Sequence, residues 1–127
     1  MITEDYCSPE VAKLLREKGF DEPCRAYWDD QPSLNTRTLF WTVEPHKHCD
    51  REINAPTHQT AMKWLREEHG FHISVAPYLN NEGEVTWVWG IINIETATII
   101  ADSLDNDFNS CEEVVEAALK HCLTELI

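Results

Sequence analysis

The chain has 127 residues, 43% of them apolar, and carries 23 acidic against 10 basic side chains for a formal charge of −13. That length suits one domain able to bury its own core, and a field of this sign repels phosphate backbones, so direct nucleic-acid binding drops out of the expected functions. No apolar run approaches the roughly 20 residues needed to cross a bilayer and no basic-plus-apolar leader follows Met1, so the expectation is a cytoplasmic protein with no membrane partner.

The first element is a helix in "SPEVAKLLREKGF", residues 8–20. Ser8 suits the N-cap, Pro9 the first helical position and Gly19 the left-handed stop, with Val11, Leu14 and Leu15 forming a short apolar stripe. "CRAYWDD" and "RTLFWTV" read as a strand pair separated by the turn region Pro32–Asn35. A second helix runs from about Thr57 to His69 and is closed by Gly70, with Ala61, Met62 and Leu65 on one face.

From residue 71 the period changes to two. "FHISVAPYL" alternates like a half-buried strand, and "NNEG" at 80–83 turns the chain. "VTWVWGIINI" is apolar on both faces and should be a central strand, and "TATIIAD" supplies a third. The last helix opens at "SCEE", where Ser110 and Glu113 have capping-box spacing; Val115, Ala118, Leu119, Cys122 and Leu126 then recur at helical intervals. The expected fold is a single α+β domain, residues 1–127, in the order α-β-β-α-β-β-β-α, with an antiparallel sheet of about five strands and three helices.

The central strand predicts an interaction surface. Trp87 and Trp89 point to one side with Val85 and Ile91, while Val88, Ile92 and Ile94 point to the other, so both faces want cover and a leftover aromatic face would seat a second subunit or partner. Trp87, Trp89, Val88 and Ile92 are the candidate interface residues. Charge points the same way. Residues 95–127 hold eight acids and a single base, Lys120, which favours a basic protein partner.

"EPHKHCDRE" at 44–52 places four potential metal ligands, His46, His48, Cys49 and Asp50, within five positions, with His46, His48 and Cys49 the leading three. These three are the candidate metal ligands, but a structural zinc site takes two close pairs, and His58, His69, His72 and His121 do not supply the second one. A polar connector between a strand and a helix explains the stretch better. Asp105, Asp107, Asn109, Glu113 and Glu116 follow a calcium-loop spacing, yet Ser110 stands where the turn glycine is required and is better explained as a helix cap. The five cysteines, Cys7, Cys24, Cys49, Cys111 and Cys122, lack regular spacing and read as free thiols. There is no P-loop, dinucleotide fingerprint, G-x-S-x-G or H-E-x-x-H. No catalytic residue and no cofactor is assigned, and the chain is read as a non-enzyme.

"APTHQTAMKWLREEHGFHI" and "SCEEVVEAALKHCLTELI", with "SPEVAKLLREKGFDE", resemble a family of small prophage and mobile-element proteins of gut bacteria for which no activity is established. They cover about 50 positions, and the resemblance implies genomic context, not chemistry. From Thr57 to Ile127 the helix–three strands–helix order is similar in topology to the double-stranded RNA-binding domain. That family grips phosphates with a basic cluster opening its last helix; Cys111, Glu112 and Glu113 stand here with the opposite sign, which speaks against RNA binding.

The leading functional expectation is a small acidic, self-associating protein-interaction module. One alternative is an acidic DNA mimic that occupies the basic groove of a host protein. Another is a metal-binding protein or thiol enzyme built on His46, His48 and Cys49.

Overall fold

The computed structural model describes residues 4–29, 39–46, 52–103 and 108–127. The fold is α+β with antiparallel strands and three helices, in the order α1 (Pro9–Glu17), β1 (Cys24–Asp29), β2 (Leu39–His46), β3 (Glu52–Asn54), α2 (His58–His69), β4 (Phe71–Leu79), β5 (Val85–Asn93), β6 (Thr98–Asp102) and α3 (Cys111–His121). The order agrees with the sequence reading except for the three-residue β3. The expected five-stranded sheet is instead two three-stranded sheets, ordered β2-β1-β3 and β4-β5-β6. The chain divides into two compact units, Met1–Ala61 and Met62–Ile127, with one sheet in each.

In the first unit the Ser8 hydroxyl accepts the Val11 N–H at 3.2 Å, and Gly19 takes φ +99°, so both ends of α1 are set by the residues the sequence supplies there. Val11, Ala12 and Leu15 are buried, and α1 packs against β3. β1 is the central strand. Its Cys24, Ala26 and Trp28 share a face, to which Ile53 of β3 adds a fully buried side chain paired with Trp28. β2 pairs irregularly. Trp41 opposes Ala26, but His46 opposes Cys24, so the chain bulges between them. Pro45 cannot donate to a ladder, and the Thr42 hydroxyl lies within bonding distance of the carbonyls of Arg25 (3.1 Å) and Glu44 (2.8 Å) across this gap.

In the second unit β4, β5 and β6 form a meander. Ile73↔Ile91 and Val75↔Trp89 are among the pairs on one face of the β4–β5 ladder. α3 packs on that face, where Trp89 lies 5.0 Å from the His121 ring, over a core of Ile73, Ile91, Val114, Val115, Ala118, Leu119, Cys122 and Leu123. Ser110 caps α3, accepting the Glu113 N–H at 3.2 Å. The reciprocal arm of the capping box reaches one residue further back than its spacing predicts: the Glu113 carboxylate accepts the Asn109 N–H at 3.3 Å. The last turns, Cys122–Leu126, widen into a π-helix.

Candidate interaction surface

β4 and β5 are joined by a short turn with defined geometry. The Gly83 N–H donates to the Asn80 carbonyl at 3.1 Å, and the Asn80 N–H donates to the Glu84 carbonyl at 2.9 Å. The Asn80 side-chain oxygen accepts from the N–H groups of Glu82 and Glu84, both at 2.9 Å. Gly83 takes φ +78°. This is a type I turn closed by a glycine bulge, and it holds the strand ends in one register. An added Cβ at Gly83 would meet nothing within 4 Å, so only the backbone conformation resists substitution. Gly83→Ala is expected to cost about 1 kcal/mol, measurable by urea denaturation.

The turn presents an apolar pair. Leu79 and Val85 sit directly opposite each other and are 68% and 61% exposed. Direct cross-strand partners point to the same side of a sheet, and so do residues two apart along a strand. Leu79, Pro77, Val75 and Ile73 on β4, with Val85, Trp87, Trp89 and Ile91 on β5, therefore make one continuous apolar face. α3 packs on one end of it, where Ile91, Trp89 and Ile73 are buried. Toward the turn the cover ends: Val75 and Trp87 are half-buried, and Pro77, Leu79 and Val85 are exposed. The exposed end is thus an extension of the hydrophobic core and not a scatter of surface residues.

Trp87 is fixed by main-chain bonds to Phe108, donating at 2.9 Å and accepting at 3.2 Å. Its N–H and C=O hence point away from β4, which makes Pro77↔Trp87 a non-hydrogen-bonded pair. The missing N–H of Pro77 falls on the outer edge of β4, where it costs no ladder bond and blunts that edge against strand addition. A partner would meet this surface through side chains.

Of the four interface residues expected from sequence, Trp87 alone belongs to this surface. Trp89 is 8% exposed beneath α3 and is not available to a partner. Val88 and Ile92 point to the opposite face and are half-buried, and Thr86 on that face is buried. Leu79, Pro77 and Val85 are the members the sequence reading missed. Their signal was Pro77, which marks an edge strand, next to an apolar pair flanking "NNEG".

The other candidates fall differently. His48 and Cys49 lie outside the described residues, as do Asp105 and Asp107; His46 ends β2, its backbone opposite Cys24. Among the described residues no group of three or more His, Cys, Asp or Glu side chains could hold a metal ion. Burial, with the nearby Glu22 charge, raises the Cys24 thiol from 9.0 to about 11, and burial raises Cys122 to about 12. Both stay protonated near neutral pH, the opposite of an activated nucleophile. Among the described residues no helix is long and apolar enough to cross a membrane.

No family model, curated protein or solved structure matches this chain. The likeness of α2-β4-β5-β6-α3 to the double-stranded RNA-binding domain is one of element order.

Proposed function

We propose that this chain is a non-enzymatic protein-interaction module that holds a basic protein partner on the uncovered end of the β4–β5 face. The observation that carries the reading is the pair Leu79 and Val85, exposed and directly opposed at the end of a face whose other end is core. A rigid turn pre-organises the pair, so little ordering cost falls on binding. Trp87 beside it is the kind of half-buried aromatic that anchors interfaces.

Charge selects the partner class. Residues 62–127 hold twelve acids against three bases, and Glu82 and Glu84 are exposed in the turn beside the apolar pair. Two copies meeting through this surface would bring like charge together, so the occupant is a protein that offers an apolar contact ringed by Lys or Arg. This favours a basic partner over the homodimer. A DNA mimic would share the acidity but has no use for an apolar pair at the centre of its surface.

The test uses two baits side by side, the wild-type chain and the double variant Leu79→Ser/Val85→Ser, each exposed to an extract of the source cells and quantified by mass spectrometry. One or more basic proteins should be held by the wild type and lost from the variant. Retention of the same proteins by both baits, or a wild-type dimer by sedimentation that the variant abolishes, would overturn the assignment.

A further inference from the structure

A second site lies in the first unit. The segment Glu4–Cys7 runs across the face of the sheet that carries Trp28, Leu39 and Trp41, and it is tied down at four points. Tyr6 bridges Thr57, the Cys7 N–H donates to the Pro56 carbonyl at 2.9 Å, and the His58 N–H donates to the Asp5 carbonyl at 2.9 Å. The fourth tie is the Trp28 indole N–H, which donates to the Cys7 carbonyl at 2.8 Å. Glu4, Asp5, Tyr6, Trp28, Leu39 and Trp41 enclose an open cavity of about 600 Å³. Tyr6 and Trp41 stand nearly at right angles, with ring centroids 6.2 Å apart and planes at 74°, and form a corner with two aromatic walls. Trp41 is 61% exposed, an unusual cost for an indole that serves only to fill a core.

The walls and the rim call for the same kind of guest. Aromatic faces carry negative potential and attract a cation within about 6 Å of the ring centroid, and the Tyr6–Trp41 pair brings two such rings to one cavity. The exposed carboxylates of Glu4 and Asp5 line the cavity, and among the described residues no basic side chain does. An ammonium with N–H groups would have to turn them all to the Glu4 and Asp5 side to replace its water, because the aromatic faces are poor acceptors. A quaternary ammonium has no N–H to satisfy and can rest its methyl groups on the rings. We infer that this cleft binds a small free organic cation with a quaternary ammonium head, seated in the Tyr6–Trp41 corner and held by the field of Glu4 and Asp5.

The probe is choline, compared with its neutral carbon isostere 3,3-dimethylbutan-1-ol in titrations followed by tryptophan fluorescence and calorimetry. Choline should bind saturably, and the isostere about tenfold more weakly or not at all. Trp41→Ala, at an exposed position that leaves the fold intact by circular dichroism, should weaken choline by about tenfold or more. Glu4→Gln/Asp5→Asn should weaken it less and remove most of its salt dependence. Equal binding of choline and the isostere, absence of saturable choline binding, or unchanged affinity in Trp41→Ala would each overturn the assignment. A trimethyllysine peptide that binds about tenfold more tightly than choline would also overturn it, by making the guest a protein side chain.

Discussion

Ile91→Ala is expected to cost about 3–4 kcal/mol, whereas Leu79→Ala, two strand pairs beyond Trp89 on the same face, should cost less than about 0.5 kcal/mol. Ile91 is fully buried in the central strand, with Ile73 on one side and Ala101 on the other. Removing its three methyl and methylene carbons leaves a cavity that the surrounding strands cannot close. Leu79 has little of its surface out of water, so truncation removes little transfer free energy and opens no void. Urea denaturation of the two variants reads the contrast directly. Similar costs at both positions would mean that the β4–β5 face is covered along its whole length and offers nothing to a partner.

The second large effect lies at alkaline pH. In the unfolded chain the Cys122 thiol titrates near its ordinary 9.0; burial in the folded chain raises it to about 12. Below pH 9 both states keep the proton and the stability is fully present. Above pH 9 the unfolded chain ionises first, so stability falls with rising pH until the folded thiol also titrates near 12. The loss from this group is on the order of 4 kcal/mol, a large part of the 5–15 kcal/mol typical of a whole domain. Cys24, raised to about 11 by burial and by the Glu22 charge, contributes in the same direction between pH 9 and 11. Cys122→Ala should be less stable than the wild type at pH 7 and yet lose less stability between pH 9 and 12. Other titrating groups are common to both proteins and cancel in the difference. Parallel curves would show that the Cys122 thiol is not held neutral by its surroundings.

Much of the fold was legible because local chemistry and tertiary structure agree. Ser8, Gly19, Gly70 and Ser110 stop and start helices where their backbone preferences demand it, and the period-two segments from residue 71 onward became strands. The missed β3 is three residues long, too short to show a period, and is a strand only because β1 offers it a partner. The division into two sheets was invisible for a related reason: alternation reports which residues face a core, not which strands share a ladder. The candidate site was half legible. The two-faced apolar character of β5 marked Trp87 as a candidate, but the face-by-face choice depended on where α3 lies, and nothing in the pattern of Trp87 and Trp89 distinguishes the covered indole from the open one. The aromatic cleft of the first unit escaped because its walls come from positions 4–6, 28, 39 and 41, which the ladder and the Cys7–Pro56 bond bring together.

The most direct test of the partner surface is the affinity of the captured basic protein for purified wild-type chain and for Leu79→Ser/Val85→Ser, measured by calorimetry at one salt concentration. Loss of two buried aliphatic contacts at the centre of an interface predicts an affinity about a hundredfold lower in the variant, with an unchanged unfolding midpoint. Equal affinities in two equally stable proteins would contradict it.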